Sequence, residues 1–182
     1  MARSKNRSRT SRLPLTVSRR ALRAGGSDAR FRQLIHDLIA YGHRLDACRD
    51  AFAGVIGVSG AQYEIIMLTS RADGLSVGEV AARLHRSGAF ITIEANKLVE
   101  RGIVTKAADA SDGRRVLLQV TAAGTALIRR LAPYQVRVND ELFGQLDAKR
   151  FRELRLLARQ LLGAGDRAVA LLGLMMREQE VA

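Results

Sequence analysis

The stretch "LVERGIVTKAADASDGRRVLLQVTAAG", residues 98–124, gives the clearest indication of the fold. Gly102 follows an apolar helical segment, at the position where a left-handed C-cap ends a helix. Nine small or polar residues then separate two short apolar segments and end in Arg114 and Arg115. Hairpin loops usually have two to five residues, so a loop of this length with two arginines at its exit predicts a wing that contacts a partner. The predicted strands are Ile103–Lys106 and Val116–Val120.

Two helices joined by a short turn precede this hairpin. Ser76 and Glu79 form a capping-box pattern that predicts the start of a helix over about 77–84. The turn "HRSG" leads into a second predicted helix over about 88–101. A three- to four-residue turn is typical of a helix-turn-helix unit. With the hairpin behind it, the unit becomes a winged helix, whose wing arginines would reach phosphates or a minor groove.

The second helix of the unit has two distinct faces. Ile91, Ala95 and Leu98 recur at i, i+4 and i+7 and are expected to pack inward. At 100° per residue the opposite face carries small residues, an amide and a hydroxyl, which suit close approach to base edges. The alternative is that this face is an ordinary solvated helix surface. The wing that follows it favours a face that contacts DNA. The predicted DNA contacts are Arg86, Ser87, Thr92, Ile93, Asn96, Lys97, Arg114 and Arg115.

The charge of the chain points to a polyanionic partner. Its 182 residues contain 30 Lys and Arg against 18 Asp and Glu, a net charge of +12. Eight of the basic residues and no acidic residue lie in residues 1–27, which we predict to be a disordered basic arm. An anionic membrane surface would require an apolar helical face there, and none exists. The arm either follows phosphates beside the main site or is a solvated tail.

Several classes of protein are disfavoured. A single cysteine, Cys48, excludes an internal disulfide, and no apolar run approaches the ~20 residues of a membrane span. We therefore expect a cytoplasmic protein without a membrane partner. The sequence contains no Gly-rich phosphate loop, metal-ligand cluster or positioned Cys–His pair, so we expect no enzyme activity, no cofactor and no bound metal.

The remaining segments are predicted to be helical, which makes the fold mainly α with a small β-wing. Helices are expected over 28–53, about 60–72, 121 to about 143 with a kink or break at Pro133, and 146–162 with Asp147 as a cap, followed after "GAGD" by a last helix to about 178. The outer helices carry more apolar surface than a small winged helix covers, which indicates a homodimer rather than one larger monomeric core. The predicted parts are a basic arm (1–27), an N-terminal dimerisation helix (28–58), a winged helix-turn-helix (59–120) and C-terminal dimerisation helices (121–182).

Residues 59–124 resemble the MarR family of winged-helix transcriptional regulators. The run "DGRRVLLQVTAAG" is similar to that family's wing signature, with Asp112 and Arg114 at its Asp-x-Arg and a Thr followed by a Gly at its end. Thr92 falls on a threonine common in the family's recognition helix. Two positions depart from the pattern: Ile93 stands where many members carry Arg, and Glu94 where an apolar residue is usual.

The resemblance implies a ligand-responsive regulator, expected to be a repressor, that binds palindromic double-stranded promoter DNA as a homodimer. Its recognition helices would lie about 34 Å apart, one turn of DNA. The resemblance also implies a small-molecule effector, either an aromatic carboxylate or an acyl thioester, with Tyr41, His43, Arg44 and Tyr63 as the residues expected to bind it. The alternatives are a sequence-tolerant architectural DNA-binding protein and a repressor that senses redox state through Cys48.

Overall fold

In the computed structural model, residues 13–71, 74–109 and 115–181 are described. They form a mainly helical fold with a small antiparallel sheet, which confirms the predicted fold class. The helices are α1 (Ala29–Ile56), α2 (Gly60–Thr69), α3 (Val77–Leu84), α4 (Gly88–Glu100), α5 (Ala122–Phe143) and α6 (Ala148–Val181). The strands are β1 (Leu75–Ser76), β2 (Val104–Ala108) and β3 (Val116–Val120).

Local capping groups set the helix boundaries near the winged helix. Gly57 ends α1 in the left-handed conformation, with φ 69°, which costs glycine little because it has no Cβ. Both predicted capping boxes form: Ser59 with Gln62 at the start of α2, and Ser76 with Glu79 at the start of α3. In each, the serine hydroxyl accepts from the third helical N–H, while the longer side chain accepts from the serine N–H.

The hydrophobic core lies where α2, α3 and α4 meet the sheet and the end of α1. Ile91, Ala95 and Leu98 of α4 are completely buried, as the helical period predicts. Leu131 of α5 is also fully buried, which ties that helix to the same core. Other core members are Phe52, Ile56, Ile65, Ile66, Leu75, Val80, Ile103, Val104 and Leu118.

The sheet has the order β1–β3–β2, and both pairings are antiparallel. β2 and β3 form the predicted hairpin, in which Val104 pairs with Val120 and Ala108 with Val116. β1, in which Leu75 pairs with Leu118, was not predicted from the sequence. A two-residue strand is too short to show the alternation that identifies strands, and its hydrogen-bonding partner is over 40 residues away.

Two predicted helix breaks are absent. α5 continues through Pro133, whose ring removes one backbone donor without ending the helix. α6 is one helix of 34 residues, so the predicted interruption over 163–166 is wrong. Gly163 and Gly165 do not adopt positive φ. Each costs a helix only about 1 kcal/mol relative to alanine, and strong helix formers lie on both sides.

The expectation of disorder does not hold for residues 13–27. Thr16 donates both its N–H (2.7 Å) and its hydroxyl (2.8 Å) to Asp28 Oδ2, and the Arg32 guanidinium donates to Asp28 Oδ1 at 3.1 Å. These bonds, above all that from the Thr16 backbone N–H, hold the pKa of the Asp28 carboxyl well below its usual range. Asp28 thus anchors this segment at the start of α1. The rest of the predicted arm, residues 1–12, lies outside the described residues.

α1 and α6 leave much apolar surface uncovered. α6 touches the other described elements only sparsely, one contact being His85 Nδ1 with Asp166 Oδ1 at 3.8 Å. No single helix in the described ranges is long and apolar enough to span a membrane; α1 and α2 meet that criterion only jointly, as a pair bent by 84°. Exposed apolar side chains on these faces include Leu34, Ile35, Leu38, Ile39, Leu156, Leu157, Leu161, Leu162, Leu171, Leu172, Met175 and Met176.

Candidate nucleic-acid interface

The turn before α4 is built from local backbone bonds. His85 ends α3 in the left-handed conformation, with φ 50°. Ser87 then caps α4, its hydroxyl accepting from the Phe90 N–H at 3.2 Å. Ser87, predicted as a DNA contact, therefore has a structural role as the N-cap. The Arg86 guanidinium lies 5.9 Å from the centre of the Phe90 ring, at the exposed start of the helix.

The predicted outer face of α4 is exposed. Ile93 leaves 55% of its surface exposed. Thr92 is exposed, and its hydroxyl donates to the Gly88 carbonyl at 2.9 Å. Asn96 Oδ1 accepts from Lys106 Nζ of β2 at 2.7 Å, and among the described residues no acceptor takes the two protons of the Asn96 amide group, which suit base acceptors. The face combines an apolar side chain, a hydroxyl and an amide.

Glu94 is almost completely buried, with 9% of its surface exposed. Its carboxylate accepts from Gln62 Nε2 at 3.0 Å and from Lys97 Nζ at 2.6 Å. The Lys97 hydrogen bond is the main reason why the pKa of Glu94 is lowered despite burial. Lys97 was predicted as a DNA contact, and in the structure its ammonium is paired with this carboxylate. The acidic residue at a usually apolar position was the signal for such a partner.

Of the two arginines at the exit of the wing loop, Arg115 lies among the described residues. Arg115 Nη2 donates to Glu79 Oε2 at 3.0 Å, and its Nη1 lies 3.8 Å from Asp109 Oδ2. Arg115 therefore joins the base of the wing to the start of α3, which is a structural role that the sequence did not indicate. Ser76 and Arg115 together lower the pKa of Glu79, with the Ser76 hydroxyl as the largest cause. Asp112 and Arg114 lie outside the described residues.

The Thr and Gly of the wing signature join the wing to α5. Thr121 caps α5 by accepting from the Gly124 N–H at 3.1 Å, while its hydroxyl donates to the Gly102 carbonyl at 2.7 Å. A Cβ on Gly124 would lie 2.4 Å from the Ile103 carbonyl oxygen and 2.7 Å from Val120 Cγ1. Only glycine permits this approach, so the position of α5 relative to the wing depends on these two residues.

The four predicted effector residues lie in different surroundings. The Tyr41 ring packs edge-on to Phe143 of α5 at 6.2 Å, and the Tyr63 hydroxyl accepts from Gln135 Nε2 at 2.9 Å. Burial raises the pKa of both tyrosines. His43 is exposed, because two residues rotate it about 200° around α1 from Tyr41. Arg44 is also exposed and donates to the Ala40 carbonyl of its own helix.

A groove of about 470 Å³ lies between α1 and α5. Cys48 lies on the same face of α1 as Tyr41, two turns further on, and the other lining residues belong to α5. None of these α5 residues was predicted as an effector contact, because the sequence of α5 shows no binding motif beyond its helical period. Among the described residues, no group of His, Cys, Asp and Glu could hold a metal ion. The lining residues are Cys48, Tyr134, Arg137, Val138, Glu141 and Leu142.

Comparison with known proteins agrees with this architecture. Residues 56–115 match the sequence model of the MarR family. No curated protein sequence is significantly similar to the chain. Among solved structures, CouR from Rhodococcus jostii RHA1 bound to p-coumaroyl-CoA superimposes with a TM-score of 0.67 at 20% identity, covering 74% of this chain and 95% of CouR.

Two further structures share the fold. A MarR/EmrR family regulator from Acinetobacter sp. ADP1 has a TM-score of 0.64 at 18% identity, covering 75% of this chain and 96% of its own. The S. aureus MepR–DNA complex has a TM-score of 0.57 at 18% identity, covering 71% and 96%. The sequence match spans α2 to β2, and the shared fold extends over about three quarters of the chain. Residues 56–115 are therefore similar to the MarR family of transcriptional regulators, and the wider chain shares the fold of these solved structures.

Proposed function

We propose that the protein is a ligand-responsive repressor that binds palindromic promoter DNA as a homodimer. The observation that carries this proposal is the outer face of α4, where Thr92 and Ile93 are exposed and Asn96 is partly exposed beside the wing. An exposed apolar residue next to a hydroxyl and an amide fits a major groove, where thymine methyl groups and base acceptors are read. The charge of +12 supports attraction to the phosphate backbone.

The uncovered faces of α1 and α6 support the dimer. Contiguous apolar surface of this kind usually marks an interface, and α6 gains few contacts within its own chain. A dimer with twofold symmetry presents two copies of α4, which requires half-sites about one DNA turn apart. A footprint on DNA upstream of the protein's own gene, at two salt concentrations, tests both points. A protected palindrome supports the proposal, whereas uniform salt-sensitive coverage favours the architectural alternative.

Asn96→Ala and Arg114→Ala should affect DNA binding differently. Loss of the Asn96 amide should change preference at one base position in each half-site, at a cost of about 1–3 kcal/mol for the preferred base. Loss of Arg114 in the wing should weaken binding to all sequences and reduce the log–log salt slope by about 0.9. Selection from random DNA, followed by titration in salt, measures both effects. An unchanged footprint and affinity in both variants would remove this docking model.

We further propose that the groove between α1 and α5 binds the effector. Arg137 supplies a cation for a carboxylate or phosphate, Tyr134 an aromatic surface, and Cys48, Val138 and Leu142 an apolar wall. This combination fits an aromatic carboxylate or its acyl thioester. An occupant between these helices would release DNA if it favoured the geometry that does not bind DNA by about 1–3 kcal/mol.

Arg137→Ala tests this site. We expect the variant to bind DNA as the wild type does but to need about 10–100-fold more effector for release, because a charge-assisted hydrogen bond contributes about 1.5–3 kcal/mol. The probes are p-coumaroyl-CoA, the ligand of CouR, and free p-coumarate. Arg129→Ala, an exposed arginine of α5 outside the groove, is the control. Absence of release of the wild type by either probe would contradict this effector class.

A further inference from the structure

A buried polar chain connects the recognition helix α4 to the start of α2. Gln62 lies at its centre: its Oε1 accepts from the Ser59 N–H at 3.2 Å, and its Nε2 donates to Glu94 Oε2 at 3.0 Å. Gln62 and Glu94 are each more than nine-tenths buried. A buried carboxylate is strongly destabilising unless it is paired and hydrogen-bonded. Both requirements are met, with Lys97 as the ion-pair partner.

The pair restrains Lys97. Its Nζ lies 2.6 Å from Glu94 Oε1, one helical turn away, while about half of the Lys97 side chain is exposed. Moving this ammonium to a DNA phosphate would leave the buried carboxylate with only the neutral side chains of Gln62 and Ser59 as partners among the described residues. Because the carboxylate of this half-exposed pair is itself buried, losing the ammonium costs more than breaking a fully exposed pair. Lys97 is therefore held by Glu94 even though it lies beside the face of α4 that would approach DNA.

Lys97 is the one basic residue of α4, and the restraint pairs it with Glu94. Thr92, Ile93 and Asn96 provide no charge, and Lys106 of β2 keeps its charge but is hydrogen-bonded to the Asn96 amide oxygen. A phosphate contact adds the same affinity to every DNA sequence. In a chain with a net charge of +12, one fewer such contact weakens binding to the many non-specific sites of a genome.

We propose that Glu94 is a positioning residue that fixes α4 against the start of α2 and keeps the Lys97 ammonium away from DNA phosphates. The inference rests on the proposed DNA-binding function. It gives a role to the acidic residue that departs from the pattern of the MarR family, and it assigns Lys97 to the internal structure of the unit instead of the DNA interface. Neutralising Glu94 should release Lys97 for a phosphate.

The experiment measures binding of the full chain to a random-sequence duplex over a range of salt concentrations. Glu94→Gln keeps the shape of the side chain and removes its charge. We expect its log–log salt slope to be steeper than that of the wild type by about 0.9, which is about eightfold tighter binding at 0.1 M salt. Lys97→Gln alone should leave the slope unchanged. The double variant should return to the wild-type slope, a non-additivity that a purely structural role of Glu94 does not produce.

Two further variants strengthen the test. Glu100→Gln changes the net charge by the same amount on the same helix, but Glu100 is exposed and has no ion-pair partner among the described residues, so its slope should stay near that of the wild type. Glu94→Met, which removes the polar bonds with an apolar side chain of similar length, should steepen the slope as Glu94→Gln does. Thermal unfolding confirms that each variant is folded.

The outcomes separate this inference from the proposed function. If the wild type binds no duplex DNA, the proposed function is wrong. If the wild type binds and folded Glu94→Gln and Glu94→Met keep its slope, the inference alone is overturned. It is also overturned if Lys97→Gln by itself makes the slope shallower by about 0.9, because Lys97 would then already contact a phosphate in the wild type.

Discussion

Gly124→Ala should lower the stability of the protein by about 3 kcal/mol, at the upper end of the range for overpacking. The added Cβ would lie 2.4 Å from the Ile103 carbonyl oxygen and 2.7 Å from Val120 Cγ1. The carbonyl is backbone at the start of the hairpin and cannot rotate away as a flexible side chain would. Accommodating the methyl group requires α5 to move relative to the wing, which breaks the bonds around Thr121.

Thermal unfolding measures this effect. For a chain of this length, about 3 kcal/mol corresponds to a Tm lower by about 6–12 °C. The matched control is Gly78→Ala in α3, where an added Cβ meets no atom within 4 Å and the residue is exposed. That variant should be at least as stable as the wild type, since alanine is the better helix former. Equal Tm values for the two variants would show that α5 does not pack as closely as described.

Leu98→Ala should have a comparable effect on stability for a different reason. Leu98 of α4 is completely buried in the core among residues of α2, α3 and the sheet. Truncating a leucine at such a site removes apolar burial and leaves a cavity, at a cost of about 2–5 kcal/mol. Urea unfolding should show a lower midpoint with an unchanged slope, because the surface exposed on unfolding stays similar. A change below about 0.5 kcal/mol would contradict the packing of α4.

Ile93→Ala on the same helix is the matched comparison. Its side chain is 55% exposed, so stability should change by no more than about 0.5 kcal/mol. If the outer face of α4 enters a groove, affinity for the operator should instead fall about tenfold, since covering this side chain contributes about 1.5 kcal/mol. A variant with full DNA affinity would leave the groove-facing role of Ile93 without support.

The elements that local chemistry specifies were predictable. The capping boxes at Ser59 and Ser76 and the left-handed Gly102 set helix boundaries through bonds between residues close in sequence. The period of Ile91, Ala95 and Leu98 predicted which face of α4 is buried, because helical geometry alone decides which positions share a face. The resemblance to the MarR family rested on the same local stretch, where Thr121 and Gly124 have direct structural roles.

The partners of individual side chains were not predictable from the sequence. Arg115 was predicted to contact DNA, and in the structure its guanidinium donates to Glu79, 36 residues earlier. Asp28 anchors residues 13–27, which were predicted to be disordered, by accepting a hydrogen bond from the Thr16 N–H. No local sequence pattern indicates that bond. The effector candidates on α1 were chosen by residue type, whereas the groove is lined largely by α5. Each of these depends on which elements meet in space.

The sequence by itself determined the helix-turn-helix, the wing and the buried face of the recognition helix, because caps, glycine positions and periodicity act over a few residues. Only the tertiary structure decided that α6 is one uninterrupted helix, that β1 joins the sheet and that Glu94 binds Lys97 and Gln62. Two isolated glycines weaken a helix too little to end it. A two-residue strand depends on a distant strand for its backbone hydrogen bonds. The buried carboxylate of Glu94 depends on Gln62, 32 residues earlier, as well as on Lys97 of its own helix.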